Sequence, residues 1–240
     1  MPSHAAENAC RIRDNLARVR ENIATAAARS GRKPEAVYLV GVTKYVEPDI
    51  ARVLVEAGLT ELGESRPQEL WRKAEALADL KVHWHLIGHL QRNKVKKTTE
   101  VAAVIHSADS LRLLKEINSH TANNPLPVSD VLLEVNISGD AAKHGLRQDE
   151  IEPMIPEITR LKHVAVLGLM TMAGLESGPD QARREFAALR ELRDKLGLIH
   201  PPNIVLNELS MGMSGDYEVA IEEGATMVRV GSALFEGIKD

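Results

Sequence analysis

Short apolar runs alternate with helical stretches eight times along this chain, and that alternation leaves few folds open. The strand-like runs are 37–42, 61–63, 82–87, 101–106, 131–137, 164–170, 204–209 and 227–230. Each but the last is followed by a helix or helical turn. These are 48–57 between Pro48 and Gly58, 67–80, the basic turn 93–98, a helix from an Asp109 or Ser110 cap to His120, 149–161, 179–196 stopped by Gly197, and 217–223 capped by Asp216 and stopped by Gly224. Strands with helices between them pair in parallel through right-handed crossovers. Eight such units closing on themselves make a (β/α)8 TIM barrel, an α/β fold. An open doubly wound sheet is the competitor, but it usually carries a glycine-rich turn after its first strand, where this chain has Thr43-Lys44. Ahead of the first strand, Ala5, Ala9, Ile12, Leu16, Val19, Ile23 and Ala26 recur at helical steps, and Ser30-Gly31 and Pro34 end that helix. The last strand runs out close to Asp240, which leaves no eighth outer helix. The extra N-terminal helix, 1–30, is therefore predicted to pack into that gap, within a single domain spanning 1–240. Polar loops are expected at 123–127, 139–145 and 173–178.

Composition narrows the function classes. Aromatic residues are only 3% of the 240, so the core has to be aliphatic. A net charge of −4 speaks against a dedicated nucleic-acid partner. The single cysteine, Cys10, excludes an internal disulfide and a cysteine-rich zinc site, and suits a reducing, cytoplasmic setting. No apolar run reaches membrane-spanning length, and no charged-then-apolar secretory start is present. Glu7, Asp14 and Glu21 argue against a transit peptide, because such peptides avoid acids.

Two small-residue turns near the end of the chain suggest an anion site. The first, Ser210-Met211-Gly212-Met213-Ser214-Gly215-Asp216, offers backbone N–H groups and hydroxyls after strand seven; Gly231-Ser232 follows strand eight. Glycines let a backbone approach an anion closely, and barrels commonly hold phosphate after these two strands. The bland reading is a pair of ordinary Gly/Ser loops. Lys44 ends strand one at the barrel mouth. If it points inward, so do Val42, Val40 and Tyr38, while Leu39 and Gly41 face the helices. An apolar mouth would help such an amine lose its proton and attack an aldehyde, whereas a snorkelling lysine would do neither. Arg229 shares a strand face with Met227, and strand eight neighbours strand one in a closed barrel. It either pairs with an interior carboxylate such as Glu134 or meets a ligand. An amine, an arginine and a phosphate cup together suit pyridoxal 5′-phosphate.

The segments VGVTK, ELGESRPQE, WHLIGHLQRNK, IHSADS, EVNIS, GLMTMAG and SMGMSGDYEVAIEEGATMVRVGSALF occur in this order. Together they resemble the pyridoxal phosphate homeostasis protein family, over nearly all of 40–235. That resemblance implies an alanine-racemase-type barrel with Lys44 as the Schiff-base lysine. It implies a phosphate cup of Ser210, Met211, Ser214, Gly231 and Ser232, with Arg229 at the ring nitrogen. It also implies a cofactor carrier in vitamin B6 homeostasis, without established turnover, supplying PLP-dependent apo-enzymes. Ser65 stands where the family usually has asparagine, Tyr45 where a small residue is commoner, and Arg92 where a serine is usual.

The basic turn of Arg92, Lys94, Lys96 and Lys97 reads as a solvated helix face, with an anion site as the alternative. His83 and His85 alternate on strand three with His89 beyond, but no carboxylate or cysteine cluster completes a metal set, so no metal is expected. Met170, Met172, Met211 and Met213 read as packing. Three functions compete: a PLP-holding protein, a PLP-dependent racemase or lyase, and a cofactor-free Schiff-base aldolase. Racemases with this barrel add a β domain and use an opposing tyrosine across a dimer interface. The absence of both from this sequence favours a monomeric carrier over an enzyme.

Overall fold

Eight parallel strands close into a barrel in chain order. They are β1 (Tyr38–Val42), β2 (Glu61–Glu64), β3 (His83–Leu86), β4 (Ala102–Ala108), β5 (Ser129–Glu134), β6 (Val164–Met170), β7 (Ile204–Ser210) and β8 (Met227–Val230). The last strand returns to the first, with Arg229 opposite Val40. This computed structural model describes residues 4–124, 128–140, 144–174, 178–198 and 201–238. The expected loops at 123–127, 139–145 and 173–178 fall partly outside them, at 125–127, 141–143 and 175–177.

Strand alternation divides the core in two. Leu39, Ile105, Val131, Leu133, Val228 and Val230 face outward into one aliphatic layer shared with the helices. Val104, Leu132, Met170 and Met227 face the lumen with Leu167. The expected phase of β1 holds: a Cβ on Gly41 would meet Leu59, Leu62 and Leu234 on the helix side, while Val42 lines the mouth. The phase slips once on β6, where the register to β7 shifts between Val166 and Gly168. A Cβ on Gly168 would lie 1.8 Å from the Glu208 carbonyl oxygen, so only glycine permits that approach.

The outer helices are α2 (Pro48–Glu56), α3 (Pro67–Ala76), α4 (Val95–Thr99), α5 (Leu111–Thr121), α6 (Gln148–Thr159), α7 (Pro179–Leu196) and α8 (Tyr217–Glu222). As expected, the N-terminal helix α1 (His4–Arg29) fills the gap, packing on α2, α8 and the 3-10 turn Ser232–Leu234. It buries Ile12, Leu16, Val19 and Ile23. Asn15 Nδ2 donates to the Leu234 and Glu236 carbonyls at 3.2 and 3.0 Å, and Asn22 Nδ2 to the Tyr217 hydroxyl at 3.0 Å. The helix therefore clamps the segment that follows β8. Among the described residues no helix is long and apolar enough to cross a membrane.

Two local expectations are corrected and one alternative is settled. Strand five stops at Glu134 rather than 137, because Asn136 Oδ1 accepts from the Gly139 N–H at 3.0 Å and turns the chain. Asp216 does not cap α8 with its side chain; its carboxylate accepts instead from the Met213 N–H at 2.6 Å and closes the preceding turn. Of the two candidate caps on α5, Ser110 is the one used, its Oγ accepting from the Leu113 N–H at 3.2 Å. Ser110→Ala should therefore lower the urea-unfolding free energy by about 1 kcal/mol, whereas Asp109 makes no such cap contact.

Candidate functional site

A cavity of about 740 Å³ opens at the C-terminal mouth of the barrel, between β1, β2, β3 and β8. That size suits a small ligand. Lys44, Arg229, Ser214, Gly231 and Ser232 all border it, as do Ser65 and Tyr45. Of the predicted residues, Ser210 and Met211 do not. Both are buried behind the wall, with the Met211 N–H donating to the Met227 carbonyl at 3.1 Å.

Lys44 lies in a turn two residues past β1 and is exposed, which corrects the expectation of a lysine desolvated in an apolar mouth. Its Nζ sits 4.8 Å from the centroid of the Tyr45 ring, itself 87% exposed. Tyr45 thus flanks the amine from the solvent side. Beneath the turn, Lys73 of α3 donates to the Thr43 carbonyl at 2.6 Å and to Glu64 Oε1 at 2.5 Å. The Thr43 hydroxyl donates to the same carboxylate oxygen at 2.7 Å. The backbone that carries Lys44 is pinned by a buried ion pair. The sequence reading missed this pair, although Lys73 shares a buried helix face with Leu70 and a lysine there is anomalous.

Arg229 is buried at the base of the cavity. Burial pushes its guanidinium down to about 10, against the attraction of Asp216 and Glu134, so it stays cationic at neutral pH. It makes no ion pair with Glu134, the interior partner considered from sequence; it donates instead to Ser210 Oγ at 2.5 Å and to the Thr171 carbonyl at 2.9 Å. A guanidinium has five N–H donors. Donors therefore remain for a ligand acceptor at the cavity wall.

Ser214 brings the two small-residue turns together. Its Oγ accepts from the N–H groups of Gly231 and Ala233 at 3.1 and 3.4 Å. One oxygen therefore already sits on the donors that an anionic oxygen would take. The first turn is tied to β8 by the Arg229 N–H donating to the Gly212 carbonyl at 3.0 Å. Gly212 has φ +92°, and a Cβ there would lie 2.6 Å from that of Ala220. Ser65 meets the cavity beside Gly88, where a Cβ would stand 2.2 Å from the Ser65 carbonyl oxygen.

The remaining sequence features lie elsewhere. Arg92, Lys96 and Lys97 are exposed, and Lys94 and Lys97 stand over the Trp71 ring at 5.8 and 4.8 Å from its centroid. His83 and His85 both contact Glu61. His89 joins Asp109 and His144, their donor atoms all within 4.8 Å. The His89 and His144 rings stack at 4.3 Å and 17°, and Asp109 places beside His89 a carboxylate that was not expected from the sequence.

Residues 15–238 match the model of the alanine racemase N-terminal domain family, and the closed barrel agrees with that class. The structure resembles alanine racemase of Clostridium difficile 630 with a TM-score of 0.72 at 17% identity, over 93% of this chain and 56% of that one, a likeness of fold. Closer relatives narrow the class. The chain is 44% identical to a pyridoxal phosphate homeostasis protein of Aquifex aeolicus, over 95% of this chain and 97% of that one. PipY of Synechococcus elongatus PCC7942, solved with PLP bound, superposes with a TM-score of 0.82 at 32% identity, over 93% of this chain and 99% of PipY. The chain belongs to the pyridoxal phosphate homeostasis protein family.

Proposed function

We propose that this protein binds pyridoxal 5′-phosphate at the barrel mouth, covalently through Lys44, and holds the cofactor for vitamin B6 homeostasis and supply. The observation that carries the reading is the meeting of three chemistries in one cavity: an exposed amine, a guanidinium with spare donors, and two backbone N–H groups already coordinating a hydroxyl oxygen. They fit the aldehyde, the ring nitrogen and the phosphate of this cofactor. The amine of Lys44 takes the aldehyde carbon, Gly231, Ser232 and Ser214 take the phosphate, and Arg229 donates to the ring nitrogen. Ser210 acts from behind Arg229, and Met211 packs the wall. When bound, the cofactor supplies an electron-withdrawing ring.

A cationic arginine at the ring nitrogen disfavours its protonation and so weakens that electron withdrawal. The mouth is open, which suits handing the cofactor over better than protecting a carbanion from water. Both points favour a holder over a racemase or lyase. The protein acts as a cytoplasmic monomer, with PLP-dependent apo-enzymes as recipients.

Purified protein mixed with pyridoxal phosphate should gain a visible absorbance band. Borohydride should fix that adduct on Lys44, and Lys44→Ala should give none. A wild type that stays colourless with added cofactor would remove the cofactor assignment and favour the aldolase reading of the same lysine.

A further inference from the structure

Beyond Arg229 and Ser210, the barrel lumen holds a continuous line of polar side chains, His106, His85 and Glu61, that the cofactor reading leaves unused. Glu61 fixes its direction, because an ionised carboxylate only accepts. A neutral His85 then donates from Nε2 and accepts at Nδ1, and a neutral His106 donates from Nε2. Ser210 Oγ accepts from Arg229 and gives its hydroxyl proton to the free His106 Nδ1, 2.9 Å away. His106 Nδ1 is then an acceptor, and the ring carries its proton on Nε2, which donates to His85 Nδ1 at 2.8 Å. His85 in turn donates from Nε2 to Glu61 Oε2 at 2.8 Å, and Glu61 Oε1 faces His83 Nδ1 at 2.7 Å. With two neutral imidazoles and one ionised carboxylate, every link from Arg229 to Glu61 has one donor and one acceptor.

The charge states of His106 and Glu61 agree with this order. Burial, with the nearby His85 and Arg229, holds His106 well below the ordinary imidazole range. Burial opposes the charged form of Glu61, but hydrogen bonds from His85 and His83 outweigh it and hold that carboxyl below its usual range.

The path crosses the molecule. Glu61 and His83 open β2 and β3 at the N-terminal face, where the His83 side chain is 49% exposed. Ser210 ends β7 at the mouth. His106 on β4 reaches Ser210 across the lumen, since β4 and β7 are not neighbours in the barrel. Barrel interiors are ordinarily filled by branched apolar side chains. A fully satisfied polar chain in their place is rigid, because each member constrains the next.

We infer that Glu61, His85, His106 and Ser210 are positioning residues for the cofactor, a one-way hydrogen-bond chain through the barrel that fixes Arg229 at the mouth from the opposite face. The inference rests on Arg229 as the ring-nitrogen contact.

Two measurements test it. The first needs no cofactor: nitrogen NMR of histidine-labelled protein at neutral pH should show His85 and His106 both neutral and protonated on Nε2. A proton on His106 Nδ1 would reverse the chain and overturn the proposal. The second is a pyridoxal phosphate titration. His106→Leu, which neither accepts from Ser210 nor donates to His85, should raise the dissociation constant about tenfold and shift the visible band. His106→Gln, whose amide can accept on one side and donate on the other, should recover most of both effects. Glu61→Leu should weaken binding several-fold although Glu61 does not border the cavity, and it stands as the test if His106→Leu fails to fold. Variants that lose thermal stability but keep wild-type affinity and band would make the chain structural only and overturn the proposal. A wild type that never binds pyridoxal phosphate would instead show that the cofactor reading itself is wrong.

Discussion

Lys73→Met should lower the urea-unfolding free energy by about 3–5 kcal/mol, the usual cost of removing one partner from a buried ion pair. The lysine is 1% exposed and Glu64 0%, so water reaches neither group in the folded protein. Glu64 Oε1 accepts from Lys73 and from the Thr43 hydroxyl, while Oε2 has no partner among the described residues. Without the ammonium, one hydroxyl donor would be left to hold a buried carboxylate. A fold stable by about 5–15 kcal/mol does not absorb that loss easily. The double variant Lys73→Met/Glu64→Leu should regain most of the stability, since an apolar pair can replace a buried ion pair at little net cost. It should not regain full cofactor affinity, because the Thr43 carbonyl loses its lysine anchor beside Lys44 in both variants. Equal recovery of stability and affinity would show that the pair serves the core alone.

How much of this was legible in the sequence depends on the range of the interaction. The barrel was, because each βα unit announces itself locally through an apolar run followed by a helical stretch, with glycine stops at Gly58, Gly197 and Gly224. The filling of the open edge by α1 was also legible, since a helix with one apolar face must bury it somewhere. Lys44, Arg229 and the two turns were found because strand ends and alternation place them at one mouth once closure is assumed. The sequence left Asp109 and Ser110 equal as caps, and only the backbone path into α5 separates them. The contacts of Lys73 and Ser210 were not legible. Lys73 meets Glu64 across a helix–sheet interface, and Ser210 meets His106 across the lumen, between strands 104 positions apart in the chain. Barrel stagger decides such meetings, and no local spacing encodes them. The HxH pattern of His83 and His85 was visible, but its partner, Glu61, lies on the neighbouring strand.

Arg229→Met should weaken pyridoxal phosphate binding by about tenfold to a hundredfold, the worth of one hydrogen bond from a charged donor, about 1.5–3 kcal/mol. Its effect on stability should be smaller than that of Lys73→Met. The substitution leaves Ser210 Oγ and the Thr171 carbonyl without their arginine donor, but it also relieves the burial that pushes this guanidinium down to about 10. Arg229→Lys should fall between the two proteins. An ammonium keeps the charge, but it cannot reproduce the rigid fork that holds Ser210 and Thr171 while presenting further N–H groups to the cavity. Titration of cofactor into each variant, beside urea unfolding of the cofactor-free proteins, separates these effects. The interior ion-pair reading makes a different prediction: Glu134→Gln would then cost as much stability as Arg229→Met. The two residues attract each other without touching, and the hydrogen bonds of Arg229 run to Ser210 and Thr171. Glu134→Gln should therefore leave affinity within about threefold of wild type, since a charge partner without contact contributes well under a hydrogen bond. Wild-type affinity in Arg229→Met would reduce the guanidinium to a filler of the lumen, and the ring nitrogen would need another donor.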